Sequence, residues 1–185
     1  QYEDWEKIII SSDKDFFQLL DDTTLLYRPV QKEVLSKISL IEKYGIHPNN
    51  FALARAVVGD PSDNLEGVGQ VGLKTVSKRF PFLSEEKSAT IKELLDYCAA
   101  ALETKKIIAY ENVLENQELV KRNYKIMQLY APLLAIGSKK DIRNIVDNAD
   151  ISFNKTEIVK LMSEDGFGNF DWFELQTNFN RIVAR

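Results

Sequence analysis

A single cysteine, Cys98, and a single histidine, His47, occur in a chain of 185 residues. One cysteine excludes a disulfide within the chain and suits a reducing compartment, so a cytoplasmic location is expected. Cys98 lies in the helix-like stretch Leu-Leu-Asp-Tyr-Cys-Ala-Ala-Ala-Leu, where a small buried hydrophobe is expected rather than a reactive thiol. His47 stands in Tyr-Gly-Ile-His-Pro-Asn, expected to be a solvent-facing loop, and is given no role. No apolar run approaches the length of a membrane span, and no signal peptide, internal repeat or low-complexity tract is present. The first residue is Gln1 rather than Met, which leads us to expect a fragment, a processed product or a trimmed chain. A strong excess of positive charge is also missing: the net charge is −4 and the pI about 5.2. Any nucleic-acid footprint must therefore be local. The hydrophobic fraction of 44% and charged fraction of 28% are those of an ordinary globular protein, long enough for one domain or a domain plus an appendage.

Against these absences stand two pairs of aspartates. Asp13 and Asp15 close the apolar run in Ile-Ile-Ile-Ser-Ser-Asp-Lys-Asp-Phe, and Asp60 and Asp63 sit in Gly-Asp-Pro-Ser-Asp-Asn-Leu-Glu-Gly-Val-Gly-Gln-Val-Gly-Leu-Lys-Thr. Carboxylates grouped in this way are what hard divalent cations require. On an extended segment Asp13 and Asp15, at i and i+2, would point to one side at the carboxyl end of a parallel strand, where α/β folds place ligands. Asp60 and Asp63, at i and i+3, would converge across one helical turn. Each pair has a plainer explanation as helix caps: Ser12 or Asp13 before Asp15-Phe16, and Asp60 before Pro61. A calcium loop is excluded, because its glycine position holds Leu65 and its closing acid position holds Val71.

The second pair runs directly into a glycine-punctuated hairpin. Gly67, Gly69 and Gly72 would allow positive φ and close backbone approach, and Lys74 and Thr75 would open a helix whose N–H groups face outward as an anion site. From Gly67 to Phe82 there are three basic residues, Lys74, Lys78 and Arg79, and no acid. A plain turn between helices is the competing explanation, but the abutting carboxylate pair favours metal-dependent chemistry on a nucleic-acid strand. Trp5, Trp172, the phenylalanines and Tyr124 are expected to be packing residues rather than base-stacking platforms.

The pattern along the chain predicts an α/β protein that is mostly helical. Lys7–Ser12 carries Ile8-Ile9-Ile10, expected to be a strand buried on both faces in a parallel sheet. A helical turn is expected over Phe16–Leu20, and strands over Thr24–Tyr27 and Glu33–Leu35. Helices are expected over Ser39–Tyr44, stopped by Gly45, and over Phe51–Val58, capped by Asn49 or Asn50 and ended by Gly59. Leu73–Phe80 would be the second hairpin helix, with Pro81 and a cap-like Ser84 marking a boundary. Helices should follow over Ala89–Thr104, Leu119–Tyr130, Lys139–Val146, Thr156–Ser163 and Trp172–Arg181.

Taken together these segments resemble the superfamily of flap endonucleases and 5′–3′ exonucleases, in its bacterial and phage form, which includes the 5′-nuclease domain of DNA polymerase I and phage ribonuclease H. Ser-Ser-Asp-Lys-Asp-Phe-Phe-Gln-Leu resembles the family's strand-end metal motif. Arg55-Ala-Val-Val-Gly-Asp60-Pro-Ser-Asp63-Asn-Leu-Glu-Gly-Val68 resembles its second acidic motif entering a helix-hairpin-helix, which Val71-Gly-Leu-Lys-Thr75 continues. Arg122-Asn-Tyr-Lys-Ile-Met-Gln-Leu129 resembles a segment of phage members. The match is specific from about Ile8 to Lys78. The resemblance implies a partial PIN-like core over 1–58, the second acidic motif and hairpin over 59–82, and a helical region over 83–185. It implies Mg²⁺ or Mn²⁺ held by Asp13, Asp15, Asp60 and Asp63 as catalytic residues. It implies DNA held by Gly67, Val68, Gly69, Gln70, Val71, Gly72, Lys74, Thr75 and Lys78, and a K⁺-like ion on the carbonyls of Val68, Gln70 and Val71. Further metal-binding acids, an arch and an early basic segment precede this strand in the family, so the chain resembles the C-terminal half. The implied activity is metal-dependent hydrolysis of phosphodiesters in flap, junction or nicked DNA and in RNA-primed DNA during replication. The alternatives are a structure-selective DNA-binding module without catalysis, and one half of a split nuclease completed by a second chain.

Overall fold

The structure is a computed structural model, describing residues 4–129, 135–148, 153–167 and 170–183. It divides into two compact units, Gln1–Pro132 and Leu133–Arg185.

The first unit begins with a small sheet. β1 (Lys7–Ile10) pairs in parallel with β2 (Thr24–Arg28), which pairs antiparallel with β3 (Glu33–Leu35). Burial alternates along β1: Ile8 and Ile10 are 60% and 71% exposed, while Ile9 packs on the core. The expectation of a strand buried on both faces is therefore wrong for this chain. Among the described residues β1 is the last strand of the sheet on its side, with one face open. A short 3₁₀ helix, Asp15–Leu19, crosses from β1 and buries Phe17.

Helices then build the core. α1 (Lys37–Tyr44) starts from a reciprocal cap between Ser36 and Ser39 and ends at Gly45, whose φ of 65° is the left-handed conformation that glycine adopts at little cost. α2 (Pro48–Val58) is buried along most of its length, including Phe51, Leu53, Ala54, Ala56 and Val57. Phe17, Tyr44 and Phe51 meet ring to ring at 5.0–5.8 Å around its start. α3 (Leu73–Arg79) follows the hairpin, and α4 (Ile91–Thr104), α5 (Ile108–Glu115) and α6 (Gln117–Met127) complete the unit. The α4 cap is Thr90 with Glu93; Ser84 instead donates to the Pro81 carbonyl. The sequence pattern does not predict α5. Its buried apolar residues Ala109, Tyr110 and Val113 are too few for a clear period, and burial against α4 makes the helix.

Three expected roles change. His47 is buried rather than solvent-facing. Its Nδ1 accepts the Asn49 N–H and caps α2, and burial lowers its pKa. Asn49 and Asn50 are tethers instead of caps. Asn49 donates to the Glu86 carbonyl. Buried Asn50 donates to the carbonyls of Leu83, Glu85 and Lys87 and accepts from the Ala89 N–H, closing the α3–α4 connection over α2. Trp5 is 63% exposed and is not core. Cys98 is fully buried, and burial pushes its thiol up to about 12, as an inert hydrophobe requires.

Among the described residues the second unit contains three amphipathic helices, α7 (Ile136–Asn148), α8 (Lys155–Glu164) and α9 (Trp172–Val183). Phe153 meets Phe179 at 5.3 Å, and Lys155 lies over the Trp172 ring. Among the described residues no helix is long and apolar enough to cross a membrane.

Candidate active site

Two segments bring the aspartates together. After β1 the chain is held against β2 by Ser11 N–H to the Tyr27 carbonyl, and by buried Arg28, which donates to the Ser12 carbonyl. Asp13 then accepts the Asp15 N–H at 2.8 Å, a side-chain turn that leads into the 3₁₀ helix Asp15 begins, whose N-cap position is Lys14. The pair does leave the carboxyl end of a parallel strand. It is not on an extended segment, so the i, i+2 argument for a shared side does not apply.

The second pair hangs from the end of α2. Gly59 has φ 77° and ψ −179°, and turns the chain back on itself. Asp60 and Leu65 exchange two backbone hydrogen bonds at 2.8 Å, closing a tight loop. Inside it Asp60 caps a 3₁₀ turn, Pro61–Asp63, accepting from the Ser62 N–H and hydroxyl. The chain then runs beside the last turn of α2, with Val68 N–H donating to the Val57 carbonyl. Gly67 is pressed so close that a Cβ on it would lie 1.8 Å from the Val58 oxygen.

Asp13, Asp60 and Asp63 line one cavity of about 200 Å³ with Ser12, Lys14, Arg55 and Ser62. Asp15 stands beside it, joined through Arg55. That arginine ion-pairs with Asp60 through Nη2, and its Nε faces Asp15 Oδ1 at 3.5 Å. Burial raises the Asp15 pKa; Arg55 opposes the rise, while Asp13, Asp60 and Asp63 add to it. Burial would raise Asp60 too, but the Ser62 hydrogen bonds and Arg55 outweigh it and hold the carboxyl below its usual range. All four acids thus lie within electrostatic reach of one another. Among the described residues, however, no three acidic, histidine or cysteine side chains are arranged to hold a metal ion. Arg55 takes the central position instead.

Two further residues fix the geometry, and the sequence pattern assigns a role to neither. Gln18 donates to the Asp15 and Met127 carbonyls and accepts from the Leu129 N–H, tying the first acidic segment to the end of α6. Asn123, fully buried on α6, donates to the Ala56 and Glu66 carbonyls on either side of the second acidic loop. The signal for Arg55 was available: a lone charge inside Phe-Ala-Leu-Ala-Arg-Ala-Val-Val must find a buried partner.

The hairpin differs from expectation in one respect. The left-handed residue is Gln70, with φ 61°, and not Gly67, Gly69 or Gly72. Val68 and Val71 are buried, with Val71 N–H donating to the Val68 carbonyl, and Gly69 and Gln70 form the exposed tip. The Gly69 carbonyl is held by Asn112 of α5 at 2.9 Å. A Cβ at Gly69 or Gly72 would meet nothing within 4 Å. Lys74 and Lys78 are exposed on α3, one turn apart, and Thr75 is half-buried between them.

No family model matches the chain. It is 30% identical over 154 residues to a 5′–3′ exonuclease of Buchnera aphidicola, covering 83% of this chain and 50% of that protein. A 5′–3′ exonuclease of Aquifex aeolicus is 28% identical over 165 residues, covering 83% and 48% respectively. The thermostable DNA polymerase I of Thermus aquaticus is 42% identical over 76 residues, 41% of this chain and 9% of the polymerase. The chain thus spans about half the length of the exonucleases it matches. Among solved structures, the bacteriophage T5 D15 protein co-crystallised with metal ions superposes with a TM-score of 0.54 at 20% identity, over 66% of this chain and 44% of that one. The T5 flap endonuclease in complex with DNA and metal ions gives 0.53 at 20% identity, over 66% and 43%. In sequence the chain is similar to 5′–3′ exonucleases, in fold it matches the T5 flap endonuclease, and its likeness to that superfamily is to the C-terminal half.

Proposed function

We propose that the chain carries half of the metal site and the duplex-holding hairpin of a 5′-nuclease that hydrolyses phosphodiesters in flap, junction or nicked DNA and in RNA-primed DNA, in the cytoplasm of a bacterium or a phage-infected host. The observation that carries this reading is the convergence of aspartates from two distant segments, three of them lining one cavity and Asp15 joined to it through Arg55, together with a hairpin that has an exposed glycine tip and leads into a basic helix. Asp13, Asp15, Asp60 and Asp63 are the residues that would hold divalent cations, Mg²⁺ or Mn²⁺. Buried Asp15 Oδ1, which has no hydrogen-bond partner, suits a cation. Bound divalent cations would supply at such a site a bound water more acidic than bulk water and compensation of the charge on the phosphate. The division into a core over 1–58, a motif and hairpin over 59–82 and a helical region over 83–185 is part of this reading, as is completion of the site by acids outside these residues.

Calorimetric titration with Mn²⁺ tests the metal assignment. Asp13→Asn and Asp63→Asn remove exposed ligands and should each weaken binding, on the order of tenfold for an interaction worth about 1.4 kcal/mol. Affinity equal to that of the parent chain in both variants would reduce these aspartates to caps.

The hairpin would hold a phosphate backbone through Gly67, Val68, Gly69, Gln70, Val71, Gly72, Lys74, Thr75 and Lys78, with a monovalent cation on the carbonyls of Val68, Gln70 and Val71. Such contacts are independent of sequence. Replacing Lys74 and Lys78 together by Ala should weaken binding equally across duplex sequences, and should flatten the salt slope by about 0.9 for each phosphate that is no longer neutralised. Fluorescence anisotropy on a junction duplex across a salt series measures both, and an unchanged slope places the DNA elsewhere. A second reading, a DNA-binding module without catalysis, is favoured by the closure of the acids on Arg55. Alone, the 185-residue chain is expected to cleave poorly under either reading.

A further inference from the structure

The guanidinium of Arg55 is buried, with its side chain 6% exposed, between the carboxylates of Asp60, which lines the cavity, and Asp15, which stands beside it. A dedicated arginine–carboxylate pair makes two parallel hydrogen bonds at about 2.7–2.9 Å. Arg55 is in direct hydrogen-bond contact with Asp60 alone of the two. Toward Asp15 the separation is 3.5 Å, and both Arg55 Nε and Asp15 Oδ1 are buried without a hydrogen bond. A buried charge left half-satisfied is costly, and such compromises persist where a second state satisfies the group better. The arginine is also anchored on the last turn of α2, immediately before the Gly59 turn from which the Asp60 loop hangs. Its side chain and the acids therefore reach the same point from fixed backbone.

We infer that Arg55 is the resident counter-cation of the aspartate site, which neutralises Asp15 and Asp60 when no metal is bound and withdraws from Asp15 when a divalent ion enters. This inference rests on the metal reading of the site. Arg55 is on this account a positioning residue: it keeps four mutually repelling acids folded together, and it competes with the ion for them. The affinity measured for a divalent ion is then lowered by the fraction of molecules in which Arg55 has not withdrawn.

Two measurements decide the matter. In the first, the chain is labelled with ¹⁵N-arginine, the Arg55 Nε–H resonance is assigned by its loss in Arg55→Lys, and Mg²⁺ is titrated in. The resonance should shift, and its exchange with water should accelerate at least about tenfold, as a hydrogen leaves a closed site. In the second, Mn²⁺ binding is compared by calorimetry between the parent chain and Arg55→Met, which keeps the stem and removes the charge. The variant should bind on the order of tenfold more tightly. An Arg55 resonance that does not move while calorimetry records bound Mn²⁺ would overturn the inference and leave the metal site standing. So would equal or weaker binding by a folded Arg55→Met. No binding by either chain overturns the metal reading and this inference together. Should Arg55→Met not fold, the resonance of the parent chain alone gives the answer.

Discussion

Asp60→Asn is expected to lower the stability of the metal-free chain by about 2 kcal/mol, and Asp63→Asn to change it by less than about 0.5 kcal/mol. Relief of repulsion among four acids would predict a gain from both substitutions. The structure separates them. The Asp60 side chain is 11% exposed and is the carboxylate hydrogen-bonded to buried Arg55, so neutralising it strands a buried charge. Asparagine preserves the cap on Ser62 and Asp15 remains nearby, which keeps the cost below that of a fully orphaned pair. Asp63 is exposed and makes no such contact. The sign with pH follows. Asp60 has its pKa lowered from 3.8 in the folded chain, so its stabilisation is present above that value and is lost as pH falls through the lowered one. Asp15 has its pKa raised, and so favours folding below 3.8, a contribution lost as pH rises through the raised value. Asp60→Asn should therefore lose less stability than the parent on acidification below 3.8. Urea denaturation across pH measures both effects, and equal stability of the two variants at neutral pH would refute the distinction.

Gly67→Ala should be the most damaging single methyl in the hairpin. The added carbon would lie 1.8 Å from the Val58 oxygen and 2.8 Å from the Gly59 nitrogen, both of them backbone. Neither atom can move without breaking the turn that presents Asp60. Overpacking against rigid neighbours costs about 1–3 kcal/mol, and the upper end is expected here. Gly69→Ala and Gly72→Ala meet open space and should cost less than about 0.5 kcal/mol. Thermal unfolding followed by circular dichroism compares the three. Similar melting temperatures for all would mean that the close approach of 67 to α2 is not maintained in solution.

The sequence exposed the framework of this fold because its signals are local. β2 and β3 lie where two short apolar stretches put them, Gly45 stops α1, and Asp60 with Pro61 opens a 3₁₀ turn as a capping pattern predicts. The convergence of the two aspartate pairs was legible only through the family resemblance, since Asp60 lies 45 positions after Asp15 in the chain. What escaped is tertiary. His47 reads as a loop residue because its burial depends on the α3–α4 connection, where the Leu83 carbonyl accepts its backbone N–H. Propensity puts positive φ on the hairpin glycines, whereas packing of Val68 and Val71 into the core forces it onto Gln70. Arg55 was visible in the motif, but the match to Asp15 needs the position of the end of β1, which no spacing encodes.

The clamps on the two acidic segments also bear on the order in which the chain can assemble during synthesis. Gln18 bonds to residues 109 and 111 positions further on, and Asn123 reaches back 67 and 57 positions. Each of these bonds needs a residue in or just after α6. A ribosome translating from the amino end makes the aspartates early and their clamps late, and closing such long loops is slow compared with forming helices. Until residue 129 has left the exit tunnel, a nascent chain has both acidic segments packed through Phe17, Phe51 and Arg55 but lacks the bonds that tie each of them to α6.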